Sequence, residues 1–220
     1  MKQLLKTWCA GISRLTGLGL DGAPHAIKEK LLEERDAVRR SLEPALLRFT
    51  WKLKPFAPKA PVRLQLACGS HALPGFINID WRETNATDLL CDIRKLPFPE
   101  GSVTEIQCYH ALEHFNRKEA ECAVEHWASL LAPGGKLVLE VPDFAGLAKR
   151  YLKERDPQLL AYVFSSDRFV GDVHKWGYTS ESLKVLLEDA GLVEVVTPPA
   201  QDYHTAFCPC LRVEGTKPDL

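Results

Sequence analysis

The run His110-Ala111-Leu112-Glu113-His114-Phe115 sets three titratable side chains within five positions, directly after an apolar and β-branched stretch. Imidazole titrates near neutral pH, so His110 and His114, with the carboxylate of Glu113 between them, have the chemistry to accept and hand on a proton. The two histidines are four residues apart, and a helical turn would put them on one face. No further carboxylate follows at ligand spacing, so a metal is not expected there. A second group, Asp167 to Thr179, is dense in aromatic and polar residues and supplies His174 as another candidate base. Two readings of that segment stay open: acceptor binding, or capping of a following helix at Thr179 with Trp176 in the core. Cys208-Pro209-Cys210 is a lone pair of thiols with no second ligand pair nearby in sequence. With seven cysteines, an odd number scattered along the chain, buried reduced thiols are expected, with neither a disulfide framework nor zinc.

Three further positions have ligand-binding chemistry. In Leu64-Gln65-Leu66-Ala67-Cys68-Gly69-Ser70 a strand enters a tight turn, and Gly69 lets a ligand approach backbone without a Cβ in the way. Asp80 follows eleven residues later at the tip of the next strand, where a carboxylate can accept both hydroxyls of a ribose. Asp92 ends a third strand and could accept from an adenine amino group, with Ile93 packed on the ring. Ligands of open α/β sheets sit beyond the carboxyl ends of the strands, where all three lie. The chain lacks Gly-x-Gly-x-x-Gly, which argues against a dinucleotide site.

These residues need elements to position them. Val62–Ala67, Phe76–Ile79, Asp88–Cys91, Val103–Tyr109 and Lys136–Val141 read as strands. Arg117–Leu131 reads as an amphipathic helix closed by Pro133-Gly134-Gly135, and further helices are expected over Phe144–Lys153 and Ser180–Ala190. Two closing strands, Val193–Thr197 and Phe207–Val213, have no helix between them. That pattern predicts a mostly parallel sheet covered by helices on both faces, with an antiparallel strand at one end.

Residues 1–60 read as a separate helical extension. Leu4, Trp8, Ile12 and Leu15 share one helical face, a second helix runs past Ile27 and Leu42, and Lys54 to Pro61 is a Pro-rich linker. Residues 1–63 carry 13 Lys/Arg and 6 Asp/Glu, a net of +7, whereas the remaining 157 residues net −8. Two roles stay open for residues 1–20: contact with an anionic membrane surface, or packing on the main domain as a lid or homodimer contact. Lys6 and Arg14 interrupt every early apolar run, so no secretory signal is expected. No stretch approaches the roughly 20 apolar residues that span a bilayer. The expected location is the cytoplasm.

Six segments in order resemble class I S-adenosylmethionine (SAM)-dependent methyltransferases, in particular the short bacterial methyltransferase type 11 group often found with surface-polysaccharide genes. They are Leu64 to Gly69, Gly75 to Asp80, Leu96-Pro97-Phe98-Pro99, His110 to Phe115, Leu131 to Gly135 and Val141-Pro142-Asp143-Phe144. The resemblance covers about 62–213. It implies a Rossmann-like α/β fold over residues 62–220 and SAM as cofactor. It places Gln65, Ala67, Cys68, Gly69, Asp80, Trp81, Asp92, Ile93 and His110 around that cofactor. Where many relatives show an acidic residue and glycines in Glu-x-Gly-x-Gly-x-Gly, this chain has Gln65, Ala67 and His71, so the usual carboxylate near the methionyl amine is missing. The implied reaction is methyl transfer to a small-molecule or glycan acceptor at oxygen, with His110 or His174 as base and Glu113 and His114 as alternates. Two rivals are a non-catalytic SAM-binding module or partner subunit, and a nucleic-acid methyltransferase. The acidic main domain argues against the second.

Overall fold

The computed structural model describes residues 62–166 and 172–219. The expected helical extension, residues 1–60, and positions 167–171 of the aromatic segment lie outside the described residues. Within them, seven strands form one sheet: β1 (Val62–Leu66), β2 (Ile77–Asp80), β3 (Leu89–Leu90), β4 (Val103–Tyr109), β5 (Leu131–Pro142), β6 (Val193–Val196) and β7 (Cys210–Thr216). Their order is β3-β2-β1-β4-β5-β7-β6. The pairs from β3 through β5 are parallel, and β7 runs antiparallel to both β5 and β6. The single reversed strand was expected at one end of the sheet. It lies at that end, one place inside the edge, with β6 outermost.

Both faces of the sheet are covered at its centre. Every residue of β5 from Leu137 to Pro142 is buried, and β1 is buried at four of five positions, as interior parallel strands require. The helices are α1 (Arg117–Leu130), α2 (Phe144–Glu154), α3 (Gln158–Phe164) and α4 (Ser180–Asp189). A capping box starts α1: the Asn116 side chain accepts from the Glu119 amide at 2.9 Å, and the Glu119 carboxylate accepts from the Asn116 amide at 3.0 Å. Ala120, Ala123, Val124, Trp127 and Ala128 then bury one stripe of the helix. Trp127 is fully buried, and its indole N–H donates to the Ile93 carbonyl at 2.7 Å, fixing the turn after β3. Thr179 and Ser182 cap α4 in the same reciprocal way. A smaller cluster of Leu147, Leu159 and Cys208 joins α2 and α3 to the loop before β7.

Candidate active site

The carboxyl ends of β1 and β2 are tied together by the turn that links them. Gly69 has φ +54°, and a Cβ there would meet nothing within 4 Å. Glycine is thus favoured by the backbone, and the outer side of the turn is open. The Gly69 amide donates to Asp80 Oδ2 at 2.9 Å, and the Arg82 amide donates to Oδ1 at 2.8 Å. Each carboxylate oxygen has further acceptor capacity for a hydroxyl. An open turn beside a buried carboxylate fits the ribose end of SAM, with Trp81 next along the chain. Ala67 also sits at positive φ, +54°, and Cys68 between them is buried.

Gln65 has a different place. Its buried amide donates to the His71 carbonyl at 2.9 Å and accepts from the Leu73 amide at 2.8 Å. Asn78 accepts from the same Leu73 amide at 2.8 Å and is itself held by Asp88 at 2.7 Å. Gln65, Asn78 and Asp88 brace the loop that carries the turn. Sequence reading missed the last two. At the end of β3, Asp92 caps the following turn and is gripped by the Arg94 guanidinium at 2.7 Å. Burial would raise its carboxyl, but the Arg94 hydrogen bonds hold it below the usual range. Ile93 is buried under Trp127, in the main core.

The tip of β4 carries the densest chemistry. His110 adopts φ +49°, a conformation that costs an L-residue energy and recurs at functional sites. Its amide donates to the Glu140 carbonyl at 2.8 Å. The next turn, Leu112–His114, returns Glu113 beneath it, with His110 Nδ1 3.4 Å from Glu113 Oε1. His174 Nε2 approaches the same oxygen at 4.0 Å, and the His114 and His174 rings meet edge to face. The Lys175 amide donates to the Glu113 carbonyl at 2.8 Å, which docks the segment before α4 on this turn. The structure thus brings together all four expected proton-handling residues, His110, Glu113, His114 and His174.

Glu113 is 2% exposed, and its Oε2 has no hydrogen-bond partner among the described residues. Burial would raise its carboxyl, but the hydrogen bond and charge of His110, with the charges of His114 and His174, hold it lower than usual. Burial would likewise lower His110, yet Glu113 and Asp202 raise it. In His174 burial wins and the pKa falls, leaving a neutral imidazole at pH 7.

A second set of residues reaches the β4 tip from the C-terminal loop. Glu140, fully buried in β5, accepts from the Gln201 and Asp202 amides at 3.0 and 2.9 Å and from Arg212 at 2.6 Å. The anchored loop places Asp202 against His204, whose ring lies 3.8 Å from that of His110. Cys210 Sγ is 3.6 Å from His110 Nε2 and 3.7 Å from Cys208 Sγ. Cys208-Pro209-Cys210, a lone pair of thiols in the sequence, is thus met in the fold by His110 from the end of β4.

The methyltransferase domain family matches residues 64–139, the stretch from β1 into β5 that carries the Gly69 turn and the β4 tip. The ubiquinone/menaquinone biosynthesis C-methyltransferase of Paraburkholderia phymatum is 31% identical over 121 residues, which are 47% of this chain and 45% of that relative. The chain therefore spans about half the length of the curated relative it matches. Among solved structures, a SAM-dependent methyltransferase from Methanosarcina mazei superposes with a TM-score of 0.53 at 16% identity, covering 74% of this chain and 95% of the other. The fold is that of class I methyltransferases, and the stretch 64–139 is similar to methyltransferase domains in sequence as well as in fold.

Proposed function

We propose that the chain is a SAM-dependent methyltransferase that acts on a small-molecule or glycan acceptor at oxygen. The observation that carries the reading is the family match over residues 64–139, because it spans the same strand ends that the geometry marks as a ligand edge. When bound, SAM supplies a methyl group on a positively charged sulfur, a leaving group that needs no further activation. The chain then has to hold the acceptor in line, keep water out and take one proton. Asp80 and the open Gly69 turn hold the ribose. His174, neutral by burial, takes the proton, and a proton on Nε2 arrives 4.0 Å from the Glu113 carboxylate, which stabilises the imidazolium. His110 is less suited, since Glu113 and Asp202 raise its pKa and so favour a ring that already holds its proton.

A carbon acceptor is the second reading, favoured by the likeness to the Paraburkholderia C-methyltransferase. Calorimetric titration with SAM, followed by incubation with methyl-labelled SAM and lipid-linked sugars or cell extract, tests the proposal. Binding and a labelled product whose methyl carbon bears the chemical shift of an ether are expected. A methyl on carbon would select the second reading, and a folded protein that binds no SAM would overturn both. Among the described residues no helix is long and apolar enough to cross a membrane. Residues 1–20 carry the proposal of membrane-surface contact, which requires vesicle binding that grows with anionic lipid, fades with salt and is lost on their deletion.

A further inference from the structure

Four residues with metal-ligand chemistry converge beside the β4 tip, and the proposed proton transfer uses none of them. They are His110, from the end of β4, and His204, Cys208 and Cys210, from the loop leading into β7. The sulfurs of Cys208 and Cys210 are 3.7 Å apart, far beyond a disulfide bond of about 2.05 Å. Cys210 Sγ lies 3.6 Å from His110 Nε2. Tetrahedral zinc holds sulfur at about 2.3 Å and imidazole nitrogen at about 2.0–2.1 Å. Those lengths require sulfur–sulfur and sulfur–nitrogen separations of about 3.8 and 3.6 Å. The observed spacings are two of the site's six donor–donor separations, and both match; His204 is placed by its ring, 3.8 Å from that of His110.

The surroundings also suit a metal. A ligating histidine normally presents one ring nitrogen to the ion and gives the other to a carboxylate, which fixes the tautomer. His110 has this arrangement, with Nε2 toward the thiols and Nδ1 toward buried Glu113 at 3.4 Å. His204 repeats it, with Nδ1 on Asp202. Ligand atoms of His110, Asp202 and His204 all lie within 4.8 Å of one another. Cys208 is buried, and Glu140 anchors the loop from the other side.

We propose that Cys208, Cys210, His110 and His204 form a tetrahedral site for a thiophilic divalent cation of the zinc class, which clamps the C-terminal loop to the tip of β4. Two thiolates and two imidazoles select such an ion over magnesium or calcium, which prefer oxygen. The site stands whether or not the chain transfers methyl groups.

The test is metal binding by the full chain, reduced and stripped of metal, under anaerobic conditions. Titration with Co²⁺ should saturate at about one equivalent, with the intense visible bands of a tetrahedral ion and a thiolate-to-metal charge-transfer band. Zn²⁺ should bleach both, raise the thermal midpoint and protect Cys208 and Cys210 from alkylation while leaving exposed Cys122 reactive. Cys210→Ser should lose the charge-transfer intensity and at least tenfold in affinity, and Cys122→Ser should lose neither. Circular dichroism of each apo variant separates loss of the site from loss of the fold. The proposal is overturned if the folded wild-type chain takes up no Co²⁺ with its thiols reduced, if the bound ion shows no thiolate band, or if folded Cys210→Ser binds as wild type does.

Discussion

Replacing Glu140 with Leu should destabilise the fold and also release a loop sixty residues away. The carboxylate is fully buried and faces Arg212 directly across the β5–β7 ladder, at 2.6 Å. It also accepts from the backbone amides of Gln201 and Asp202. Breaking a buried ion pair by removing one partner typically costs about 3–5 kcal/mol. Arg212 retains Glu214 at 2.6 Å, so the lower end applies, about 3 kcal/mol. For a chain of this size that is a fall of about 6–12 °C in the thermal midpoint. Adding Arg212→Met removes the stranded charge, so the double variant should recover part of the loss, with a coupling energy of about 0.5–3 kcal/mol. Stability recovered in this way should not restore the loop. Hydrogen exchange at the Gln201 and Asp202 amides should be slow in the wild type and fast in both variants. If the two substitutions add to within about 0.5 kcal/mol, Glu140 and Arg212 are not coupled. If those amides stay protected, Glu140 is not what holds Asp202 and His204 against His110.

Three further outcomes follow from the site. Asp80→Ala should weaken SAM binding by about 1.5–3 kcal/mol, roughly 10- to 150-fold in a calorimetric Kd, and an unchanged affinity in a folded variant would remove the ribose assignment. His174→Ala should cut turnover by about 10²–10⁴ with SAM affinity kept. Because burial lowers the His174 pKa and its neutral form is the base, the acid limb of the wild-type rate profile should lie below pH 6.5, and a limb above it would refute the assignment. Ala67→Gly should raise the thermal midpoint by about 1–4 °C. Relief of a left-handed alanine, worth about 1–2 kcal/mol, exceeds the added entropy of glycine, about 0.5–1 kcal/mol, and a lowered midpoint would show that the φ of +54° is not strained.

Elements set by local rules were legible in the sequence. The expected β4 coincides with the observed strand, and α1 differs from its expected span by one residue, because period and capping signals fix both. Boundaries failed where pairing overrode local chemistry. Pro133-Gly134-Gly135 reads as a stop, yet β5 begins at Leu131. A register shift in β4 between Val103 and Glu105 lets Val103 pair with Leu131 and absorbs the irregular stretch. The seven-residue helix α3 went unread: it is too short for its period to stand out, although the Asp156 carboxylate accepts from the Gln158 amide at 2.9 Å and marks its start.

The candidate site divides along the same line. His110, Glu113 and His114 declare themselves because they are adjacent in sequence and follow a strand. Asp202, His204, Cys208 and Cys210 do not, since their relation to His110 spans about a hundred residues and depends on Glu140 seizing two backbone amides. One signal was nevertheless present. Glu140 and Arg212 are charges flanked on both sides by apolar residues in their strands, and a buried charge is tolerable only with a partner. Pairing the two fixes β7 against β5 in antiparallel register, which brings Cys210 opposite Pro142. It thereby carries the thiols to the end of the sheet where β4 delivers His110. The same pair of charges that sets the register of the last strand thus determines which side chains meet at the site.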